Sequence, residues 1–375
     1  MSSRRNDSPI NDPEKPALIE RTRRAILVNG RNATAYQIIN HGIQRWFYAE
    51  NAQEEEALVG FVCNAKTGVA AGEPVCRETS IRPITQAFQQ YVRRKGMNAV
   101  CWFCATPIFA ETFRDDPNYA SILIGAQPVW DPRQWSSEIS KHSTLRKQLN
   151  RARNKGVTVS EWANHEATNH PDLLRCLHEW LEARPFPPLH FLVEPQTLDR
   201  LYDRRIFVAR RNGEAIGFVV LSPIPRQNGW LVEQIIRGKE APNGTAELMV
   251  DRAARTIGSE NCTYLTLGLA PLSRRAGIPS VNPRWIRFLL GWVRLHGRRF
   301  YNFDGLDYFK AKFVPQYWEP VYAVVNRRRF TLGTFYAIAA AFSNGSPLRA
   351  LAVGSWKALR QELRWLSGWL RSVRD

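Results

Sequence analysis

From about Ala35 onward the chain alternates short apolar runs with polar or turn-forming stretches, the pattern of a sheet built from many short strands. IQRWFYAE (43–50), ALVGFVCN (57–64) and GVAAGEPV (68–75) read as three strands. Ser80–Lys95 changes period. Ile84, Ala87, Phe88, Tyr91 and Val92 recur at helical spacing, and Arg93, Arg94 and Lys95 before Gly96 make a helix stop. A strand over Ala99–Ala105, a short helix near Ile108–Phe113 and a strand over Ala120–Ile124 follow. The second half repeats the order. IFVAR and AIGFVVLS flank the Asn212–Gly213 turn as a hairpin, and WLVEQIIR is a third strand. Glu247–Ile257 is a helix introduced by Pro242, Asn243 and Gly244. TYLTLGLA is a buried strand, Arg284–Leu295 an amphipathic helix and FYNF a last strand.

Each half thus runs antiparallel strands, helix, strand, helix, strand, the element order of the GCN5-related acetyltransferase fold. The expected class is α/β (α+β), with two tandem acetyltransferase-like domains, each a mixed, largely antiparallel sheet flanked by helices. Residues 1–16 are polar, contain Pro9, Pro13 and Pro16, and are expected to be disordered. The first domain is expected over 17–144, a basic connecting helix over 145–156, the second domain over 157–330 and an amphipathic helical segment over 331–375.

The connecting helix LRKQLNRARNK (145–155) places Lys147 and Arg151 on one face at i,i+4. It reads either as a solvated connector or as a phosphate-contacting element. In the last segment Leu348, Leu351, Ala352, Trp356, Leu359, Leu363, Leu366 and Leu370 form a stripe. Arg349, Lys357, Arg360, Arg364 and Arg371 lie mainly outside it, with Trp365 and Trp369 alongside. Such a helix either lies in a membrane interface or packs on the protein's own core. The longest apolar run there, Phe335–Phe342, is far below the ~20 residues of a membrane span.

Charge changes the picture more than composition does. The 375 residues carry a formal net charge of +18, which points to polyanionic partners, either nucleic acid or an anionic membrane surface. A hydrophobic fraction of 44% is that of a globular chain. The six cysteines are thinly spread, with no secretory signal before them, as in a reducing cytosolic compartment. Cys101 and Cys104 lie three apart in a predicted strand and are expected on opposite faces. With seven histidines lacking ligand spacing, no metal is expected.

Four segments, in order, resemble the phosphatidylglycerol lysyltransferase C-terminal domain family, the soluble catalytic part of lysyl- and alanyl-phosphatidylglycerol synthases. They are LRKQLNRARNKG (145–156), RGKEAPNGTAELMV (237–250), LGLAPLS (267–273) and YNFDGLDYFKAKF (301–313), the last followed by Pro315, Trp318, Pro320 and Tyr322. GEPV (72–75) carries a weaker likeness. The resemblance implies transfer of an amino acid from aminoacyl-tRNA, as co-substrate and without another cofactor, to a hydroxyl of an anionic membrane lipid. It implies a cytoplasmic enzyme peripheral to the cytoplasmic face of the membrane. The amino acid, lysine or alanine, and the acceptor, phosphatidylglycerol or a sterol- or hopanoid-like lipid, stay open. Asp304 and Asp307 depart from the basic residues more usual there in lysyl-transferring members.

Such a transfer needs a positioned hydroxyl, a proton acceptor, and positive charge for the oxyanion. Glu247 matches the family's acidic position. It is a candidate base or α-amine ligand, and also a carboxylate favoured by a helix N-terminus. Lys310 and Lys312 are the catalytic candidates beside it; they diverge in a helix and share a face in a strand. Arg146, Lys147, Asn150, Arg151, Arg237, Ser273 and Asp304 are candidates for binding tRNA, lipid or substrate. Ser273 reads as a turn or cap residue rather than a nucleophile, since no histidine stands near it in sequence. Two alternatives are a CoA-dependent N-acyltransferase and a non-catalytic basic protein that binds RNA and membrane. Against the first, RGKEAPNG puts Pro242 in the pyrophosphate loop, where it removes a donor.

Overall fold

The computed structural model describes residues 16–49, 56–184, 188–278, 282–296, 302–343 and 347. The expected disorder before Pro16 and the amphipathic segment beyond Pro347 lie outside the described residues. Helix α1 (Pro16–Asn29) comes first, ahead of the point where the sequence pattern becomes regular. Its buried stripe, Ile19, Thr22, Ala25, Ile26 and Asn29, includes two polar side chains, which hid its periodicity.

Strands β1 (Gln44–Tyr48), β2 (Ala57–Asn64) and β3 (Thr67–Ala71) lead to α2 (Ile81–Arg94), β4 (Ala99–Ala105), α3 (Pro107–Thr112) and β5 (Ala120–Trp130). Then come α4 (Trp135–Lys141), the basic α5 (Ser143–Asn154), β6 (Thr158–Trp162), α6 (Asn164–Ala167) and α7 (Pro171–Glu182). The second half continues with β7 (Arg205–Arg211), β8 (Glu214–Ile224), β9 (Gly229–Arg237), α8 (Thr245–Ser259), β10 (Tyr264–Thr266) and β11 (Ala270–Pro271). It closes with α9 (Arg284–His296), α10 (Phe303–Ala311), β12 (Tyr317–Val325) and α11 (Leu332–Phe342).

All twelve strands join one mixed sheet, in the order β1-β2-β3-β4-β12-β5-β10-β9-β8-β7-β6, with β11 on β5. Helices pack on its faces, and the fold is the expected α/β class with two acetyltransferase-like halves. The halves interlock. β12, late in the chain, lies between β4 and β5, and β5 in turn pairs with β10 of the second half. A buried ion pair adds to the join: Arg204 donates to Glu233 at 2.8 and 3.0 Å and to Asn40 Oδ1 at 2.8 Å.

Three local expectations change. Of FYNF only Asn302 and Phe303 lie within the described residues, and they begin a helix instead of ending a strand: the Asn302 side chain accepts from Gly305 N at 2.8 Å and caps α10, which starts at Phe303. TYLTLGLA splits into β10 and β11 around Gly268, whose φ is 70°. Cys101 and Cys104 do not point to opposite faces. Tyr322 pairs with Ala105 and Ala323 with Phe103, so Cys104, at φ 64°, is the extra residue of a bulge. Both cysteines therefore reach the same apolar cluster, while Val100, Trp102 and Ala105 serve the cluster on the other face. Among the described residues no group of His, Cys, Asp and Glu could hold a metal ion.

Candidate functional site

Helix α5 buries Leu145, Leu149 and Ala152, and leaves Arg146, Lys147, Asn150 and Arg151 exposed. Arg153 crosses to the buried Asp251 of α8 at 3.2 Å. Among the described residues Arg146, Lys147 and Arg151 carry no ion pair, so their charge faces solvent. α5 packs against α8 closely enough that a Cβ on Gly244 would stand 2.2 Å from the Gln148 carbonyl oxygen. Gly244, at φ 97°, is the N-cap of α8, and only glycine takes that conformation in so tight a contact.

The first turn of α8 is buried, and it carries Glu247. Lys312, just beyond α10, donates to the Glu247 carboxylate in a direct ion pair. Its ammonium also lies 4.2 Å from the centroid of the Phe309 ring. The pair is mostly shielded, with the lysine side chain 24% and the glutamate 8% exposed. Two candidates 65 positions apart thus meet at the positive end of a helix.

Lys310 turns the opposite way. Its ammonium donates to the carbonyl oxygens of Leu267, Gly268 and Leu269 at 2.7, 2.8 and 2.8 Å. Every proton it holds is thereby engaged with the LGLAPLS segment, and none is left for a phosphate. Burial pushes the ammonium down to about 7. Lys310, a catalytic candidate from the sequence, has the contacts of an anchoring residue.

Asp304, Asp307 and Lys310 share one stripe of α10 at i, i+3 and i+6. The two aspartates line a cavity of about 620 Å³ with Arg274, Arg275 and Arg294. Ser273 Oγ donates to Asp307 Oδ1 at 2.5 Å and accepts from Arg275 N at 3.3 Å. That is a turn-holding arrangement. Arg275 donates to Asp307 at 2.7 Å, and Arg294 to Asp304 at 2.6 Å. Asp304 thus orients an arginine. Arg237 ends β9, exposed, and none of these contacts includes it. Sequence reasoning passed over Arg274, Arg275 and Arg294; the Arg-Arg pair straight after APLS was the available signal. It also passed over Glu73 of GEPV, buried and bonded to Asn32 Nδ2 at 2.6 Å and Thr106 N at 3.1 Å. Burial raises the Glu73 carboxyl above the usual range.

The chain is thus built from two interlocked acetyltransferase-like halves, and the second half brings Glu247 and Lys312 together. A family model described as phosphatidylglycerol lysyltransferase, C-terminal, matches residues 23–325, and the chain belongs to that family. In structure it is similar to the C-terminal domain of an Agrobacterium fabrum protein described as a lysylphosphatidylglycerol synthetase. That match has TM-score 0.71 and 21% identity, over 88% of this chain and 98% of that one. It is similar to L-PGS from Bacillus licheniformis, with TM-score 0.70 and 20% identity, over 88% and 95%. FemX aligns with TM-score 0.54 and 8% identity, over 82% and 96%. At these identities the structures report the fold. No curated protein matches the chain in sequence.

Proposed function

We propose that the chain moves an aminoacyl group from a charged tRNA to a hydroxyl of a phosphatidylglycerol-like membrane lipid. The observation that carries this reading, beside the family, is the shielded Glu247–Lys312 pair at the start of α8; α5, which packs on α8, keeps its unpaired cations toward solvent. The aminoacyl ester is already activated, so positioning and charge supply the catalysis. The lipid hydroxyl oxygen bonds to the ester carbonyl carbon, and the bond to the tRNA ribose oxygen breaks. The hydroxyl proton passes to Glu247 and on to the leaving ribose oxygen. Lys312 orients Glu247 and offers positive charge to the oxyanion. Arg146, Lys147 and Arg151 take tRNA phosphates.

The enzyme works at a membrane surface; among the described residues no helix is long and apolar enough to cross one. Coenzyme A is a poorer co-substrate. Its pyrophosphate would need backbone amides in the loop before α8, where Pro242 has no N–H to offer. The non-catalytic alternative leaves the shielded Glu247–Lys312 pair without a use.

The test is incubation with radiolabelled charged total tRNA and phosphatidylglycerol vesicles, followed by lipid extraction. Label enters the lipid and ribonuclease abolishes it. Undiminished labelling from free amino acid and ATP after ribonuclease would overturn the mechanism.

A further inference from the structure

Helix α9 has two apolar faces. Ile286 is buried and Leu290 packs against the same core cluster. Away from them stand Trp285, Phe288 and Leu295, spaced by three and seven, and exposed by 43, 77 and 63%. A helix of a soluble domain keeps its apolar stripe toward the core and its polar residues toward water, so a second, outward stripe calls for a cover. Trp285 meets Phe335 of α11 edge-on, with centroids 6.1 Å apart. The patch thereby continues onto α11, where Leu332 and Tyr336 are exposed.

We infer that this face docks on an anionic lipid bilayer, an inference that rests on the lipid-acceptor reading above. Charge decides the occupant. α9 contains no acidic residue, and Arg284 and Arg287 stand exposed on it. Arg328 and Arg329 are exposed in the turn that leads to α11. None of these four arginines has an ion pair among the described residues. Tryptophan, phenylalanine and leucine bordered by unpaired guanidiniums are the chemistry of an interfacial helix. The rings settle at the headgroup level and the cations meet lipid phosphates.

Flotation of the full chain with vesicles of mixed phosphatidylglycerol and phosphatidylcholine, and of phosphatidylcholine alone, tests this. The double variant Phe288→Glu/Leu332→Glu weakens partition by roughly tenfold for each replacement, because each loses apolar burial. Arg284→Ala/Arg287→Ala weakens it by roughly fivefold for each, on the anionic vesicles only. Tm stays unchanged in both, since the side chains are exposed. Unaltered partition overturns the proposal. A fall in Tm with partition unaltered overturns it too, and means that residues 348–375 or a second copy cover the stripe; elution volume separates those two. Transfer to detergent-dispersed lipid, measured on the same proteins, keeps the two readings apart. Lost flotation with transfer retained supports docking. Variant-sensitive flotation with no transfer by any of the proteins supports docking and removes the lipid acceptor.

Discussion

Lys310 and Lys312 stand two residues apart where α10 ends, and their surroundings are opposite. One faces the interior beneath the LGLAPLS segment and spends its three protons on backbone carbonyls. The other faces the start of α8 and meets a carboxylate. Helical geometry sends i and i+2 to different sides, so a single short motif supplies a backbone anchor and a partner for a shielded carboxylate. The difference teaches how to read such a motif. An ammonium closed by three carbonyls is structure, whereas one paired with a shielded carboxylate at a helix N-terminus can exchange partners with a substrate.

The largest effect belongs to the reactive side. Glu247→Gln lowers transfer about 10²–10⁴-fold while tRNA and vesicle binding persist, because it removes the proton acceptor at nearly constant size. Near-normal turnover would leave Glu247 as a helix-terminus carboxylate only, and the contrast between the two lysines would lose its chemical meaning.

On the anchoring side the readout is stability. Lys310→Met leaves three carbonyls without their donor and costs about 3 kcal/mol in urea unfolding. Its pH dependence has a definite sign. Burial holds the folded ammonium at about 7, below the ~10.4 of an unfolded lysine. Between those values the unfolded chain binds the proton that the folded chain has released, so wild-type stability rises with pH across that window. Below about 7 both states are protonated and this contribution is flat. The gap between wild type and Lys310→Met therefore widens from pH 7 to pH 9. A constant gap would mean that the carbonyls hold the ammonium charged throughout.

Lys312→Ala is milder for the fold. It strands a shielded carboxylate and costs about 1–2 kcal/mol, but it reduces transfer as well, which Lys310→Met does only through unfolding. Equal losses of activity per folded molecule in the two variants would erase the distinction. The smallest expected effect lies on α5. Lys147→Ala/Arg151→Ala lowers the slope of log affinity for tRNA against log salt by about 1.5, from the counterions no longer released. An unchanged slope would return α5 to the role of a solvated connector.

Local pattern was enough for most elements. β4 spans Ala99–Ala105, as its apolar run predicts. The Asn212–Gly213 turn takes φ 52° and 90°, the positive pair that a two-residue hairpin needs. The basic face of α5 and the N-terminal place of Glu247 in α8 were equally legible, because charge and helical period are properties of a short window. β12 was not. Pro320 argues against a strand, and it is tolerated because Tyr317–Val321 pair with β5 alone, before β4 comes alongside at Tyr322.

What the sequence determined by itself was most of the strands and helices, the cationic surface and the family-like order of motifs. The tertiary structure alone decided that β12 would slot between β4 and β5, and that Cys104 would bulge. It also decided that Lys310 would be sealed while Lys312 found Glu247, and which of the two apolar faces of α9 would be left to water. Each of these depends on partners far away in the chain. The free energy that selects them comes from burial and hydrogen bonds made only once the chain closes on itself, so no local window of residues contains it.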